Sequence, residues 1–273
     1  MTITHGTTAA GDAVGLSLRQ FSEAWRLMCT LAPAPQISTG DGIDYIFSGC
    51  PVAFFNVALV TEGAVDDRRL RAHAEAASAW AADKGVPWLF VVTHETLKPG
   101  VDATAILDDA GLISLMPLTG MVATHVTPVA PPHGLDLTVP QDDASCAAAV
   151  DVNSAAYSID LEAAKALVGR RAFWANHVIV LGQADGKPAS TAAVMMVDGL
   201  RYVALVATEP GYQRRGFGDA TMRRALELSA AAHGEVPTVL HATEAGRPVY
   251  ERMGYVPIAA HTLFMEKRFA EGH

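Results

Sequence analysis

Gln213-Arg214-Arg215-Gly216-Phe217-Gly218-Asp219-Ala220 joins a β-rich run, Tyr202–Ala207, to a helical one. Beyond it, Met222, Ala225, Leu226 and Ser229 fall on one helical face at i, i+3, i+4 and i+7, and Gly234 stands where that helix ends. Two glycines between a strand and a helix let the backbone take φ values closed to other residues and approach a ligand closely. The first amides of the helix have no partner within it, so a phosphate placed there gains hydrogen bonds and the positive end of the helix dipole. Each such charge-assisted bond contributes about 1.5–3 kcal/mol. Arg214, Arg215, Arg223 and Arg224 add attraction. The phosphate is not that of a P-loop, because Asp219-Ala220 follows Gly218 where Lys-Ser/Thr is needed. The dinucleotide fingerprint GxGxxG is absent as well. By itself the turn also fits a plain helix cap with solvated arginines.

Outward from this turn, the chain repeats. Val57-Ala-Leu-Val60 echoes Val203-Ala-Leu-Val206, Gly85-Val-Pro87 through Thr93 echoes Gly234-Glu-Val-Pro237 through Thr243, and Ala110-Gly111-Leu112 echoes Met253-Gly254-Tyr255. The three matches keep one order and nearly one offset, which indicates duplication. Each half reads strand, turn, helix, strand, helix, strand pair, an α/β arrangement. The break falls at Val129-Ala-Pro-Pro-His-Gly134, whose prolines enforce an extended linker. The spacing predicts a flexible tail over 1–16, one domain over 17–130 and a second over 131–273. A helix over 17–31 packs Phe21, Trp25, Met28 and Cys29 into a core.

Composition excludes several function classes. Half of the 273 residues are apolar and 18% are charged, too few charges for a disordered chain. No apolar run approaches the roughly 20 residues that span a bilayer, so no membrane partner is expected. The net charge of −9 argues against nucleic acid, which needs a basic patch, and mildly favours cationic small molecules or peptides. The first half holds 7 basic and 13 acidic residues (−6), the second 13 and 16 (−3). Cys29, Cys50 and Cys146 are too few and too scattered for a disulfide framework or zinc ribbon. The ten histidines show no HxH or HExxH spacing, so no metal is expected, and no GxSxG elbow marks a serine hydrolase. Without a basic n-region at its start the chain reads as cytoplasmic.

Val206-Ala-Thr-Glu-Pro-Gly-Tyr-Gln213-Arg-Arg-Gly-Phe-Gly218 resembles the acetyl-CoA-binding signature Q/R-x-x-G-x-G/A of the GNAT superfamily of N-acetyltransferases. Leu240-His-Ala-Thr-Glu-Ala-Gly-Arg-Pro-Val-Tyr250-Glu-Arg-Met-Gly254-Tyr255 resembles that family's next strand and tyrosine-bearing helix. The resemblance is strong over 200–265 and weaker over 135–268. It implies two GNAT-like acyl-CoA N-acyltransferase folds in tandem with mixed α/β sheets, acetyl-CoA as cosubstrate and an amine on a small molecule or peptide as acceptor. A homodimer remains open. The strand through Val206 would splay from the one through Leu240. Backbone groups of Val206, Ala207 and Thr208 would flank the pantetheine arm, and amides of Gln213, Arg214, Arg215, Gly216, Phe217, Gly218 and Asp219 the diphosphate. Thr243 stands where many relatives carry a cofactor-contacting Asn.

Acetyl transfer to an amine must remove an ammonium proton, which costs about 4.6 kcal/mol at pH 7 for a lysine-like group, and must receive a departing thiolate. Tyr250 is the candidate acid. A backbone N–H near Val206 would face the oxyanion. Many relatives place a glutamate on the strand before the turn, but Tyr202–Ala207 contains no carboxylate. His241, ahead of Glu244, is the candidate base. The other open reading is an acyl-CoA-binding sensor or scaffold without catalysis. In the first half, Ala64-Val-Asp66-Asp67-Arg-Arg69 lacks the glycine pair and puts two carboxylates where a diphosphate would sit. One cofactor site is expected, in the second half, beside a degenerate first copy.

Overall fold

Three Asp-Gly dipeptides, Asp41-Gly42, Asp185-Gly186 and Asp198-Gly199, take positive φ at both positions. That is the geometry of two-residue hairpin turns, whose twist matches that of the strands they join. The computed structural model describes residues 6–159 and 161–270. In chain order these form α1 (Gly6–Met28), β1 (Gln36–Gly40), β2 (Ile43–Phe47), β3 (Asn56–Val60), α2 (Asp67–Ala81), β4 (Leu89–Thr93), α3 (Ala103–Asp109) and β5 (Leu112–Ala123). Then come β6 (Asp136–Thr138), α4 (Asp143–Tyr157), α5 (Lys165–Val168), β7 (Val178–Ala184), β8 (Lys187–Val197) and β9 (Leu200–Thr208). Last are α6 (Phe217–His233), β10 (Thr238–Ala242), α7 (Arg247–Arg252), β11 (Val256–Glu266) and α8 (Lys267–Ala270).

The chain divides into two compact units that are not contiguous in sequence. The first combines the chain up to Met121 with 241–248 and the segment from Val256 on; the second combines 122–240 with 249–255. The expected boundary near 130 is thus approached from one side only, because β11 pairs antiparallel with β4, His261 opposite Thr93 through Met265 opposite Leu89. The tail expected over 1–16 is corrected from Gly6 onward, where α1 begins; residues 1–5 lie outside the described residues.

In the first unit β1, β2 and β3 run antiparallel, and β3 pairs parallel with β4, Val57 opposite Leu89. Helix α2 makes the crossover between the parallel strands. Its Leu70, Ala74, Ala77 and Ala81 recur on one face and meet Trp88, Phe90, Ile106, Leu107 and Phe264 in one core. The small alanines let the helix lie close to the sheet. Trp88 donates its indole N–H to Glu266 at 3.0 Å, which satisfies the polar edge of a buried ring.

The second unit repeats the device. β7, β8 and β9 form an antiparallel meander, and β9 pairs parallel with β10 after the α6 crossover. Helix α6 buries Phe217, Ala220, Thr221, Met222, Ala225, Leu226 and Ser229, the predicted face extended by its first turn, and Gly234 ends it at φ 86°. Helix α4 starts with a capping box, in which the Asp142 carboxylate accepts from the Ser145 N–H and Ser145 answers to the Asp142 N–H. The repeat in sequence is therefore a repeat of strand, helix and parallel strand.

Asn56 ties down the approach to β3. Its amide donates to the carbonyls of Cys50, Val52 and Pro87, and its oxygen accepts from the Gly49 N–H; Asn56 itself is fully buried. Asn56→Ala removes all four bonds and leaves the carbonyl of the buried Val52 without this donor. It should lower the free energy of unfolding in urea by about 3 kcal/mol; a loss under about 0.5 kcal/mol, the scale of a neutral surface change, would contradict this role.

Candidate functional site

β9 carries one residue too many for its partner. Thr191 of β8 faces Ala207 and Ala193 faces Ala204, so three steps on β9 oppose two on β8, and Leu205 takes a positive φ of 50° to absorb the excess. Such a bulge bends a strand and increases its twist. On the other edge, β10 pairs with β9 only at Thr238 and Val239, opposite Arg201 and Tyr202. Past that point the two strands part, and the edge of Val206–Thr208 is left for another partner.

Successive carbonyls of a strand point to opposite edges, so those of Val206 and Thr208 share one. Each is met by a side-chain donor: the Tyr157 hydroxyl at 3.2 Å from the Val206 oxygen, and the Gln213 amide at 3.4 Å from that of Thr208. Ala207 is buried against the sheet. An extended ligand with amide groups fits this edge as an added strand would.

The turn beyond β9 has the geometry of an anion cradle. Arg214 and Gly216 both take positive φ, 63° and 79°. Gly216 stands at the N-cap without a side-chain cap, and the first helical bond runs from the Ala220 N–H to the Gly216 oxygen at 3.0 Å. The N–H groups of Phe217, Gly218 and Asp219 precede that bond and have no acceptor within the helix. A Cβ on Gly218 would lie 2.7 Å from the Thr208 Oγ1, so glycine lets the turn approach β9 with the threonine hydroxyl in place. Phe217 contributes backbone alone, since its ring is buried with Leu135, Ala184, Ala189 and Ala220.

Two of the four arginines are already engaged. Arg223 pairs with Asp219 at 2.9 Å and bonds the Thr127 carbonyl, and Arg224 pairs with Glu227 at 2.8 Å. Among the described residues no carboxylate pairs with Arg214 or Arg215; the Arg215 guanidinium lies over the Tyr212 ring at 5.3 Å. The expected attraction thus comes from two cations. At the equivalent place in the first unit, Asp66 caps α2 by accepting from the Arg69 N–H and pairs with Lys98 at 3.0 Å. That helix start is filled by its own carboxylate.

Tyr250, on α7, is buried at 9% exposure, its ring 6.0 Å from that of Tyr255. Burial, with the Tyr157 and Tyr255 hydroxyls adding, pushes its pKa far above the usual phenol value. Its hydroxyl has no hydrogen-bond partner among the described residues. Thr243 is occupied by capping: its Oγ1 accepts from the Gly246 N–H and its carbonyl from the Arg247 N–H. Glu244 is exposed in the turn before α7.

His241 belongs to a cluster within the first unit that sequence reasoning missed. The Ser17 Oγ lies 3.0 Å from the His241 Nε2 and 2.9 Å from the His261 Nε2, and the His261 Nδ1 lies 2.9 Å from the Thr93 Oγ1. Phe21 meets the His241 ring edge-on at 4.8 Å. Ser17, Thr93 and His261 are buried. Burial, with His94 adding, holds His261 down at about 4, and burial with His261 holds His241 well below the usual histidine value. The members come from distant parts of the chain, and no spacing announces them. Tyr157 was missed as well, for the same reason. No group of three or more His, Cys, Asp or Glu among the described residues is placed to hold a metal ion, and no helix among them is long and apolar enough to cross a membrane.

Residues 174–257 match the family model described as Acetyltransferase (GNAT) domain. Solved structures match over nearly the whole chain. A GCN5-related N-acetyltransferase from Kribbella flavida is 20% identical, with 92% of this chain and 96% of that one covered at a TM-score of 0.69. A functionally unknown conserved protein from Staphylococcus epidermidis is 12% identical, covering 85% and 94% at 0.63. A tandem GNAT protein from the clavulanic acid biosynthesis pathway is 14% identical, covering 96% of each at 0.55. At these identities the likeness is one of fold, and the fold is the tandem GNAT arrangement of mixed α/β sheets. No curated protein matches the sequence.

Gly218→Ala should abolish coenzyme A binding in calorimetry while the thermal midpoint falls only slightly, because the methyl displaces the turn and not the core; unchanged affinity would exclude the cradle. A histidine kept neutral by burial penalises folding in acid. Above its unfolded value of about 6.5 both states are neutral, and below that only the unfolded state takes up the proton, until the folded pKa is reached. For His261, at about 4, the loss between pH 6.5 and 4 amounts to roughly 3 kcal/mol. His261→Gln should flatten the acid limb of the stability profile by about that amount.

Proposed function

We propose that this chain, which carries a GNAT acetyltransferase domain over residues 174–257, moves the acetyl group of acetyl-CoA to a primary amine on a small molecule or peptide. The observation that carries the reading is the bulged edge of β9, parted from β10 and ending at uncapped helix amides behind Gly216 and Gly218. The fit is one of shape and chemistry together: a strand edge for an amide-bearing arm, then a concave set of donors for a diphosphate.

In this reading the amides from Arg214 to Asp219 hold the diphosphate, with Arg214 and Arg215 adding charge. The backbone of Val206 and Thr208 pairs with the pantetheine arm, whose amides replace the Tyr157 and Gln213 donors. Acetyl-CoA supplies the acyl group as a thioester. The Val206 N–H, turned by the bulge at Leu205, stabilises the tetrahedral oxyanion. Tyr250 donates its hydroxyl to the departing thiolate. Because burial keeps its pKa high, the phenol holds its proton wherever an amine can lose one, and it acts first as a hydrogen-bond donor. His241 takes the ammonium proton. It is preferred to Glu244, which lies exposed in a turn. The excess of acidic residues suits a cationic acceptor.

A sensor that binds acyl-CoA without turnover is favoured by one feature, the lack of any carboxylate on β9. The two readings separate in a thiol-release assay with acetyl-CoA and a panel of amines. Tyr250→Phe should lower kcat by about 10²-fold, within the usual range for a general acid, and leave the acetyl-CoA Kd unchanged. Cofactor binding without turnover of any amine would leave the sensor. Since ionisation of Tyr250 is displaced far upward, no alkaline fall in kcat from this group should occur below pH 10.

A further inference from the structure

We propose that Arg223 is a positioning residue of the diphosphate turn: it holds the Asp219 carboxylate away from the first amides of α6 and so keeps them open to the ligand. The proposal rests on the acetyl-CoA reading above and deepens it. Every residue of the turn, the helix and the Arg223 anchor lies in the second unit.

The turn contains a conflict of charge. The N–H of Asp219 belongs to the cradle, yet the side chain of the same residue is a carboxylate in the first turn of α6. An acid there is drawn to the unpaired N–H groups and to the positive end of the helix dipole, the features that attract a phosphate. In the first unit a carboxylate does take that place, where Asp66 accepts from the Arg69 N–H at 3.0 Å. In α4 the third helical residue, Ser145, turns its side chain back to the Asp142 N–H. Asp219 is likewise the third residue of its helix, but its carboxylate makes no such bond. Among the described residues it accepts from Arg223 alone.

Arg223 grips the carboxylate at two points. Its Nε donates to Oδ2 at 2.9 Å and its Nη2 to Oδ1 at 3.2 Å. A two-point bond of this kind fixes the plane of the carboxylate as well as its distance. The remaining nitrogen, Nη1, donates to the Thr127 carbonyl. The guanidinium is thus anchored from its far side, and the carboxylate follows it. Residue 223 stands four positions beyond 219, so the pull runs along the helix, away from the amides of Phe217 and Gly218. The arginine side chain is 12% exposed and the aspartate 33%, so water screens the pair only in part. Paired, the two side chains are neutral as a unit. Set free, the carboxylate would repel a diphosphate and compete with it for the same donors.

Calorimetric titration of the full chain with coenzyme A tests this role. Arg223→Met should raise the Kd about tenfold at low ionic strength, the scale of one charge freed a few ångströms from an anion, and the loss should shrink in high salt. Asp219→Asn alone should bind at least as tightly as wild type. Combined with Arg223→Met, it should bring the Kd back to within about threefold of wild type, a rescue that a merely structural arginine would not allow. An Arg223→Met Kd within twofold of wild type, or a loss that Asp219→Asn does not repair, overturns the proposal. If Arg223→Met does not fold, the same comparison with Arg223→Lys decides, because lysine keeps the charge and gives up the two-point grip. Failure of the wild-type protein to bind coenzyme A overturns the acetyl-transfer reading and this proposal with it, whereas an unaffected variant of a protein that binds overturns this proposal alone.

Discussion

The approach of Gly218 to Thr208 sets where α6 begins relative to the end of β9, and the rest of the second unit is arranged around it. A side chain at 218 would meet the Thr208 hydroxyl at 2.7 Å, so that either Thr208 turns or the helix start moves from the strand. The amides behind it would then point elsewhere, and the edge carbonyls of Val206 and Thr208 would no longer lead into them. The bulge at Leu205 works in the same direction. It costs ladder hydrogen bonds with β8 and a positive φ on a leucine, a strained choice that survives where surrounding packing enforces it. Strain at this point is compensated by the meander of β7 and β8 and by the buried face of α6.

The two units use one strand–helix–strand device with opposite electrostatics at the helix start. In the second, the N-terminus of α6 has no side-chain cap and follows a turn whose two arginines, Arg214 and Arg215, pair with no carboxylate among the described residues. In the first, the N-terminus of α2 is capped by Asp66, and Arg69 is engaged by Glu62 and Asp41 at 2.6 and 2.8 Å. A carboxylate at the cap contributes helix stability of about 1 kcal/mol, and it also fills the place a phosphate would take.

Much of this was legible in the sequence because it is local. The glycine turn, the face of α6 and the Asp66 cap involve residues within about a dozen positions of one another, where periodicity and turn chemistry act, and the internal repeat is a comparison of such local patterns. The Asp-Gly hairpins carried an equally local signal, which motif reading passed over. What was not legible depends on distance along the chain. Ser17 and His241 are 224 positions apart, and Tyr157 and Val206 are 49 apart. The placement of β11 beside β4 is likewise a competition between strand edges, which composition around a linker does not encode. The two prolines after Val129 suggested a clean domain break, yet the chain returns to the first unit after β10.

A histidine held far below its usual pKa looks ill suited to take a proton from an ammonium with a pKa near 10.4. The comparison is misleading if it uses the ammonium's value in water. Both groups are cationic when protonated, so a dry environment lowers both pKa values, and what matters for transfer is the difference between them after desolvation. An ammonium stripped of water loses more solvation than an imidazolium, whose charge is delocalised over a ring, so burial narrows the gap. A neutral histidine pair without a carboxylate is therefore a weak base in isolation. In the proposed transfer, it is an acceptor entering the site already desolvated that such a base would suit.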